Sequence, residues 1–345
     1  MPDQLTILLI VVLGLAVLFD YINGFHDTAN AIATSVSTRA LRPEHAILLS
    51  ATANFVGALT GTAVAKTIAS GLATPPDGAP GQVIVAAALV GAITWNLITW
   101  RFGIPSSSSH ALIGGLLGAV MSASLAVNEA ALTDVNISGV VTKVLIPLVL
   151  SPLIGITVGF LFMVALLNVF RRAHPGRIND QFRRLQVLSA SYMAFSHGSN
   201  DAQKTMGIMT LALVAGGVIV VPEGQEAGIP IWVILAAATA ISLGTAAGGW
   251  RIIRTMGQRV VKLDPIHGFA AETTAATIIF SASHFGVPVS TTHVISSAIL
   301  GVGASDRFSA VRWGVAGNIV TAWVLTIPAS GAVAALSFRL LDVIL

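Results

Sequence analysis

Gly24-Phe25-His26-Asp27-Thr28-Ala29-Asn30 is a polar island in an otherwise apolar stretch of chain. Leu5 to Phe19 is almost wholly apolar, and from Ala31 the residues become small and apolar again. A carboxylate, an imidazole and a carboxamide in such a place are costly unless they line a cavity or pair with something. Ionisable residues inside membrane segments mark ion paths, relays and substrate sites. A similar island, Gly198-Ser199-Asn200-Asp201-Ala202-Gln203-Lys204, returns about half the chain later. Aligning Gly24 with Gly198 also aligns Asp27 with Asp201.

Composition sets the frame for that pair. The 345 residues are 54% hydrophobic and only 10% charged, with a mean hydropathy of +0.84. A soluble domain carries about 25% charged residues, so this is a polytopic membrane protein. The net charge of +3 comes from a few Arg-rich loops. It bears on topology and not on nucleic acid. With no cysteine, disulfide and thiol chemistry are excluded. Met1-Pro2-Asp3-Gln4 lacks a basic leader region and no small-residue cleavage site follows the first apolar run, so that run reads as a retained helix.

A membrane helix needs about 20 apolar residues. The first such stretch is Leu5 to Tyr21, with an expected break at Asn23-Gly24 and a continuation over Thr28 to Thr38. Ala46 to Ala69 and Val83 to Trp100 follow, then an apolar run to Ala126, a loop with Glu129 and Asp134, and Val144 to Phe170. The segment Arg171 to Arg184 holds five arginines and reads as a cytoplasmic basic linker. It divides an N-terminal membrane repeat, residues 1–170, from a C-terminal one, residues 185–345. The second half has an acidic loop with Glu223 and Glu226, a basic loop from Arg251 to Lys262, and spans over Ile231 to Gly248, Phe269 to His284 and Trp313 to Leu341.

A second pair of motifs strengthens the duplication. Phe102, Gly103, Pro105, Ser107 and His110 match Phe285, Gly286, Pro288, Ser290 and His293, while Ser108 and Ser109 match Thr291 and Thr292. Two motif pairs in the same order argue for an internal repeat. Basic loops favour the cytoplasmic side. Arg39 and Arg42 follow the first island, whereas Arg183 and Arg184 precede the second. The two halves are therefore expected to be inverted.

The residue types point to an oxyanion. A helix that restarts within the membrane presents unpaired N–H groups and a positive dipole end, a ready anion site. Ser107, Ser108 and Ser109 with Ser290, Thr291 and Thr292 add hydroxyl donors that can wrap a tetrahedral ion. Two carboxylates would repel it unless each binds a cation, carries a coupling proton, or accepts a hydrogen bond from a protonated phosphate. The last option favours phosphate over sulfate. Lys204 adds a positive charge where the first island has Asn30. A plainer reading stands beside each residue. Membrane Ser and Thr often only pack or bond back to their own helix. An Asp can cap a break, and His110 and His293 can simply bond backbone near a helix start. His26 has Asn200 at its matched position, so a structural role competes with coupling. Glu272, in an apolar span, either lines the cavity or pairs with a basic side chain.

These stretches resemble the inorganic phosphate transporter (PiT) family, which carries a Gly-x-Asn-Asp-x-x-Asn-Ala motif in each half. Gly24 to Ala31 and Gly198 to Lys204 stand in those places, and the Pro-x-Ser-Ser/Thr-Ser/Thr-His stretches match as well. The resemblance covers nearly the whole chain. It implies an all-α polytopic membrane protein of two inverted-topology repeats with broken helices and re-entrant hairpins, about 10–12 membrane segments. It also implies a secondary transporter in the cell membrane, with no cofactor and no resident metal, assembled as a homodimer. Asp27, Asn30, Ser107, Ser108, Ser109, Asp201, Lys204, Ser290, Thr291 and Thr292 are the expected substrate-binding residues. Asp27, Asp201, His26, Asn200, His110, His293 and Glu272 are the coupling candidates. Here His26 replaces the first motif's Asn and Lys204 replaces the second motif's last Asn. A fixed ammonium disfavours sodium, and the chain is similar to the bacterial proton-coupled low-affinity branch. Proton symport is thus favoured, with a divalent metal phosphate as a further cargo. A sodium-coupled phosphate or sulfate permease and an ion channel are the rivals. A serine hydrolase is disfavoured because no Gly-x-Ser-x-Gly elbow occurs.

Overall fold

Most of the described residues are helical. The computed structural model describes residues 4–73, 75–126, 135–222 and 225–344. The first half runs α1 (Gln4–Ser37), α2 (Pro43–Ala58), α3 (Ala63–Gly71), α4 (Ala79–Phe102), α5 (Ser108–Ala126), α6 (Ile137–Val140) and α7 (Ile146–Phe170). The second runs α8 (Pro175–Ala215), α9 (Ile231–Ala247), α10 (Trp250–Arg254), α11 (Pro265–His284), α12 (Thr291–Asp306) and α13 (Trp313–Ile344). The expected loop features Glu129, Asp134 and Glu223 lie outside the described residues. Arg177, Arg183 and Arg184 sit on the opening turns of α8.

Among the described residues, five helices are long and apolar enough to cross a membrane by themselves, and up to seven spans result if two bent pairs each count as one. The bent pairs are α2 with α3, at 69°, and the α9 and α10 segments, at 60°. Helix α8 is less apolar, with Arg177, Asp180, Arg183 and Arg184 in its opening turns and the second island further along, and α12, at 16 residues, is shorter than these spans.

The break expected at Asn23-Gly24 is absent. Helix α1 passes unbroken through the first island, and α8 passes unbroken through the second. The glycines serve packing instead. A Cβ on Gly24 would lie 2.3 Å from the Ile241 carbonyl oxygen on α9. One on Gly198 would lie 2.2 Å from that of Asn54 on α2. Each motif helix thus presses backbone to backbone on the bent helix of the opposite half, a contact open only to small residues. The colliding atoms are backbone and cannot turn aside. Gly198→Val should therefore cost at least about 1–3 kcal/mol as overpacking, seen as a lower melting temperature in detergent. An unchanged melting temperature would remove this account of the glycine.

The same exchange recurs throughout. Helix α1 packs on α9 and α8 on α2, while α13 packs on α4 and α5 as α7 packs on α11 and α12. Each half lends its last long helix to the other half's hairpin. Buried apolar residues form two clusters. One gathers Val12, Phe19, Leu89, Leu112 and Met209. The other gathers Ile32, Met193, Ile279, Val294 and Ile299. Along α1 the polar island lies where the first cluster gives way to the second.

Candidate functional site

Two helix starts meet at the centre. Helices α4 and α11 end at matched glycines, Gly103 (φ 66°) and Gly286 (φ 68°), in the left-handed conformation that a glycine adopts without strain. The chain then turns into α5 and α12. Ser107 Oγ accepts the N–H of His110 at 3.1 Å, and Ser290 Oγ accepts that of His293 at 3.2 Å. Both are N-caps. The rings of His110 and His293 lie 4.7 Å apart, so the two first turns abut. Two positive helix ends thereby converge in a buried place.

Lys204 links the hairpins to α8. Its Nζ donates to Ser109 Oγ at 2.5 Å on α5, to the Val289 carbonyl at 2.8 Å before α12, and to Asp201 Oδ1. Asp201 Oδ2 accepts from Thr291 Oγ1 at 3.0 Å. Asn30 Nδ2, from α1, reaches Thr292 Oγ1 at 2.9 Å and Thr291 Oγ1 at 3.4 Å. Ser108 is buried with them and its hydroxyl makes no hydrogen bond to the protein. All ten expected substrate-binding residues are buried, and these contacts draw α1, α5, α8 and α12 onto one centre.

His197, which lies just before the second island and is not among the sequence candidates, stands there beside Asp27 and Asp201. One ligand atom from each of the three lies within 4.8 Å of the others, and His197 Nε2 is 3.1 Å from Asp201 Oδ2. The signal was available: His197 precedes Asp201 by one helical turn on the same face. It also faces Asn23 in the repeat, as Asn200 faces His26, so the two halves exchange a histidine and an asparagine. Two carboxylates and an imidazole form a donor set able to hold a cation.

The remaining coupling candidates fall into two groups. His26 donates or accepts between Asp27 Oδ1 at 2.6 Å and Thr99 Oγ1 at 3.0 Å, and Ser106 Oγ donates to that same Thr99 hydroxyl at 2.8 Å. Asn200 Nδ2 donates to Ser283 Oγ at 2.9 Å and to the Val287 carbonyl at 3.4 Å. At matched positions, both side chains hold the turn that leads into a hydroxyl motif. His293 is stacked on Trp323, ring centroids 4.0 Å apart. Glu272 lies away from the centre, where Thr34 of α1 at 2.5 Å, Gln186 of α8 at 3.2 Å and Ser189 of α8 all donate to it. It has donors on both oxygens and no basic partner among the described residues. Beyond it, a cavity of about 470 Å³ is lined by Thr38 and by four basic residues, Arg39, Arg183, Lys262 and Arg312, against one acidic residue, Asp264. Such a basic vestibule attracts anions to the end of α1.

The comparisons with known proteins cover this whole arrangement. The model of the phosphate transporter family matches residues 23–334, which takes in both islands and both hydroxyl hairpins. The chain belongs to the phosphate transporter family. A probable low-affinity inorganic phosphate transporter of Bacillus subtilis is 48% identical over 99% of both chains. One of Rhizobium meliloti is 47% identical over 98% of this chain and 97% of its own. Among solved structures, one described as the sodium-dependent phosphate transporter superposes with a TM-score of 0.84 at 25% identity, covering 98% of this chain and all of that one. This family member is a multi-pass membrane transporter and not an enzyme.

Proposed function

We propose that the chain imports inorganic phosphate by cation symport, with the proton as driving ion and a divalent metal phosphate as an admissible form of the cargo. The observation that carries this reading is the meeting of two helix starts and one ammonium with two buried carboxylates, one from each half. The helix ends, Lys204 and the free Ser108 hydroxyl supply donors for phosphate oxygens. Charge then demands the symport. A phosphate dianion beside Asp27, Asp201 and Lys204 would leave a net charge of minus three in the bilayer interior. Charges there are tolerated only when compensated, so cations must travel with the anion. The group Asp27, His197 and Asp201 is the place for one of them. An imidazole suits a transition metal better than sodium, and the Lys204 ammonium opposes sodium beside Asp201.

In the same reading, residues 1–170 and 185–345 are inverted repeats joined by a cytoplasmic linker, 171–184, and alternating access comes from movement of one half against the other. The basic vestibule then faces the cytoplasm, and the assembly is a homodimer. The names of the relatives support phosphate as cargo. The sodium dependence in the name of the solved structure favours sodium as the competing ion.

The deciding experiment is labelled phosphate uptake into proteoliposomes under an imposed pH gradient or sodium gradient, with and without magnesium. Proton-driven accumulation is expected. Accumulation under sodium alone would sink the coupling assignment, and sulfate accumulation without phosphate would sink the substrate. Ser108→Ala should weaken phosphate binding by about 0.5–1.5 kcal/mol, the worth of one neutral hydrogen bond. Unchanged affinity by calorimetry would take Ser108 out of the site.

A further inference from the structure

Four carboxylates are buried among the described residues: Asp20, Asp27, Asp201 and Glu272. Three have partners. Asp27 meets His26, Asp201 meets Lys204 and Thr291, and Glu272 accepts from three side chains. Asp20 is different. It is 0% exposed, and neither of its oxygens makes a hydrogen bond. Thr205 and Asn23 are the polar side chains that face it. The Thr205 hydroxyl and the Asn23 carbonyl oxygen are likewise buried without a partner.

An uncompensated carboxylate in that setting does not persist, because burying an isolated charge is far more costly than neutralising it. A proton neutralises it with no further ligand. A hard metal ion would need about six oxygens, more than these three side chains bring. Position adds a second argument. Asp20 precedes Asp27 by two helical turns on the same face of α1, about 10 Å along the axis. It lies on the side of the centre away from Arg39 and the basic vestibule. The charged groups that act on it are Asp201 and Lys204, both on α8. Of the other helices packed along α1, α9 has no charged residue, α4 has only Arg101 in its last turn, α2 has Glu44 in its first turn, and the short α10 carries Arg251 and Arg254.

We propose that Asp20 is the proton-binding site of the symport, loaded from the side opposite the basic vestibule before the central site closes. The carboxylate takes up one proton and becomes neutral. It gives that proton up again once the central charges have rearranged. Asp201 and Lys204 make the link, since an anion that engages Lys204 changes the field felt at Asp20. Lacking any contact with the phosphate donors, Asp20 governs coupling without holding the cargo.

This inference rests on proton symport, and the test separates the two. In proteoliposomes, Asp20→Asn is expected to lose accumulation driven by a pH gradient, down to the level of protein-free vesicles. Exchange of internal for external phosphate at equal pH should persist, because exchange needs no net proton movement. Asp20→Glu, which keeps a titratable carboxyl, should retain proton-driven accumulation. Wild-type protein that never responds to a pH gradient would defeat the symport reading itself. A proton-driven wild type with an equally proton-driven Asp20→Asn variant would defeat only the role of Asp20. Loss of exchange together with accumulation in Asp20→Asn would also defeat it, since Asp20 would then hold the structure or the cargo.

Discussion

Asp27→Asn and Asp201→Asn are each expected to abolish phosphate accumulation while leaving folded protein in the membrane. The substitution keeps the size of the side chain and an acceptor oxygen, so the loss is one of charge. Without Asp27 or Asp201 the central donor set has a single carboxylate and His197, and in the proposed symport the cation that would offset the incoming anion loses its place. The two variants should differ in stability. Asp27 is bonded to His26, whose imidazole can be neutral, so its removal strands no permanent charge. Asp201 is the carboxylate partner of the buried Lys204 ammonium. Breaking a buried pair by removing one member costs about 3–5 kcal/mol, because the other charge is left unpaired. Asp201→Asn should therefore melt at a clearly lower temperature than Asp27→Asn, with uptake lost in both. Wild-type accumulation by either variant would remove the central claim about the site.

Much of this arrangement was legible in the sequence because it is written twice. The duplicated islands and hydroxyl motifs fixed which residues would be brought together, and nearly all of the expected binding side chains converge on one buried centre. What the sequence misjudged was local. Asn23-Gly24 looks like a break, since glycine and asparagine often end helices. The collision of a Gly24 Cβ with the Ile241 carbonyl depends on a neighbour more than 200 residues away, which no local pattern reveals. The real breaks fall where Gly103 and Gly286 take positive φ and where α2 and α9 bend. His197 and Asp20 were overlooked for a related reason. Both sit outside the matched motif, and each has a different residue at its counterpart position. Such asymmetric groups leave no trace in a comparison of the two halves. Glu272 shows the reverse limit. Its solitary charge in an apolar span left both a cavity wall and a basic partner open, and the donors that meet it are hydroxyl and carboxamide groups from α1 and α8.

Within the matched islands, Lys204 is the position where the two halves differ most in charge, so its replacement by the residue found in the other half is a sharp test of coupling. Lys204→Asn should reduce proton-driven phosphate uptake to background. Its Nζ joins α5, the turn before α12, and Asp201. Removing it takes the ammonium from Asp201, leaving that carboxylate with Thr291 and His197, and withdraws the one fixed positive charge among the described residues of the centre. A single charge-assisted hydrogen bond contributes about 1.5–3 kcal/mol, so phosphate affinity should fall by about ten- to a hundredfold. The carboxamide also supplies an oxygen where an ammonium stood. With Asp27, Asp201 and Asn30 nearby, the centre becomes an oxygen-rich cluster with no cation of its own, the kind of site that accepts sodium. Sodium should therefore stimulate phosphate binding in Lys204→Asn and leave the wild type unaffected. Lys204→Arg is the control, since it retains the charge but not the compact point geometry of an ammonium, and it should keep part of the proton-driven uptake. If Lys204→Asn accumulates phosphate under a pH gradient like the wild type, the ammonium takes no part in binding or coupling. The exclusion of sodium would then have to come from the imidazole of His197, which His197→Asn would test in the same vesicles.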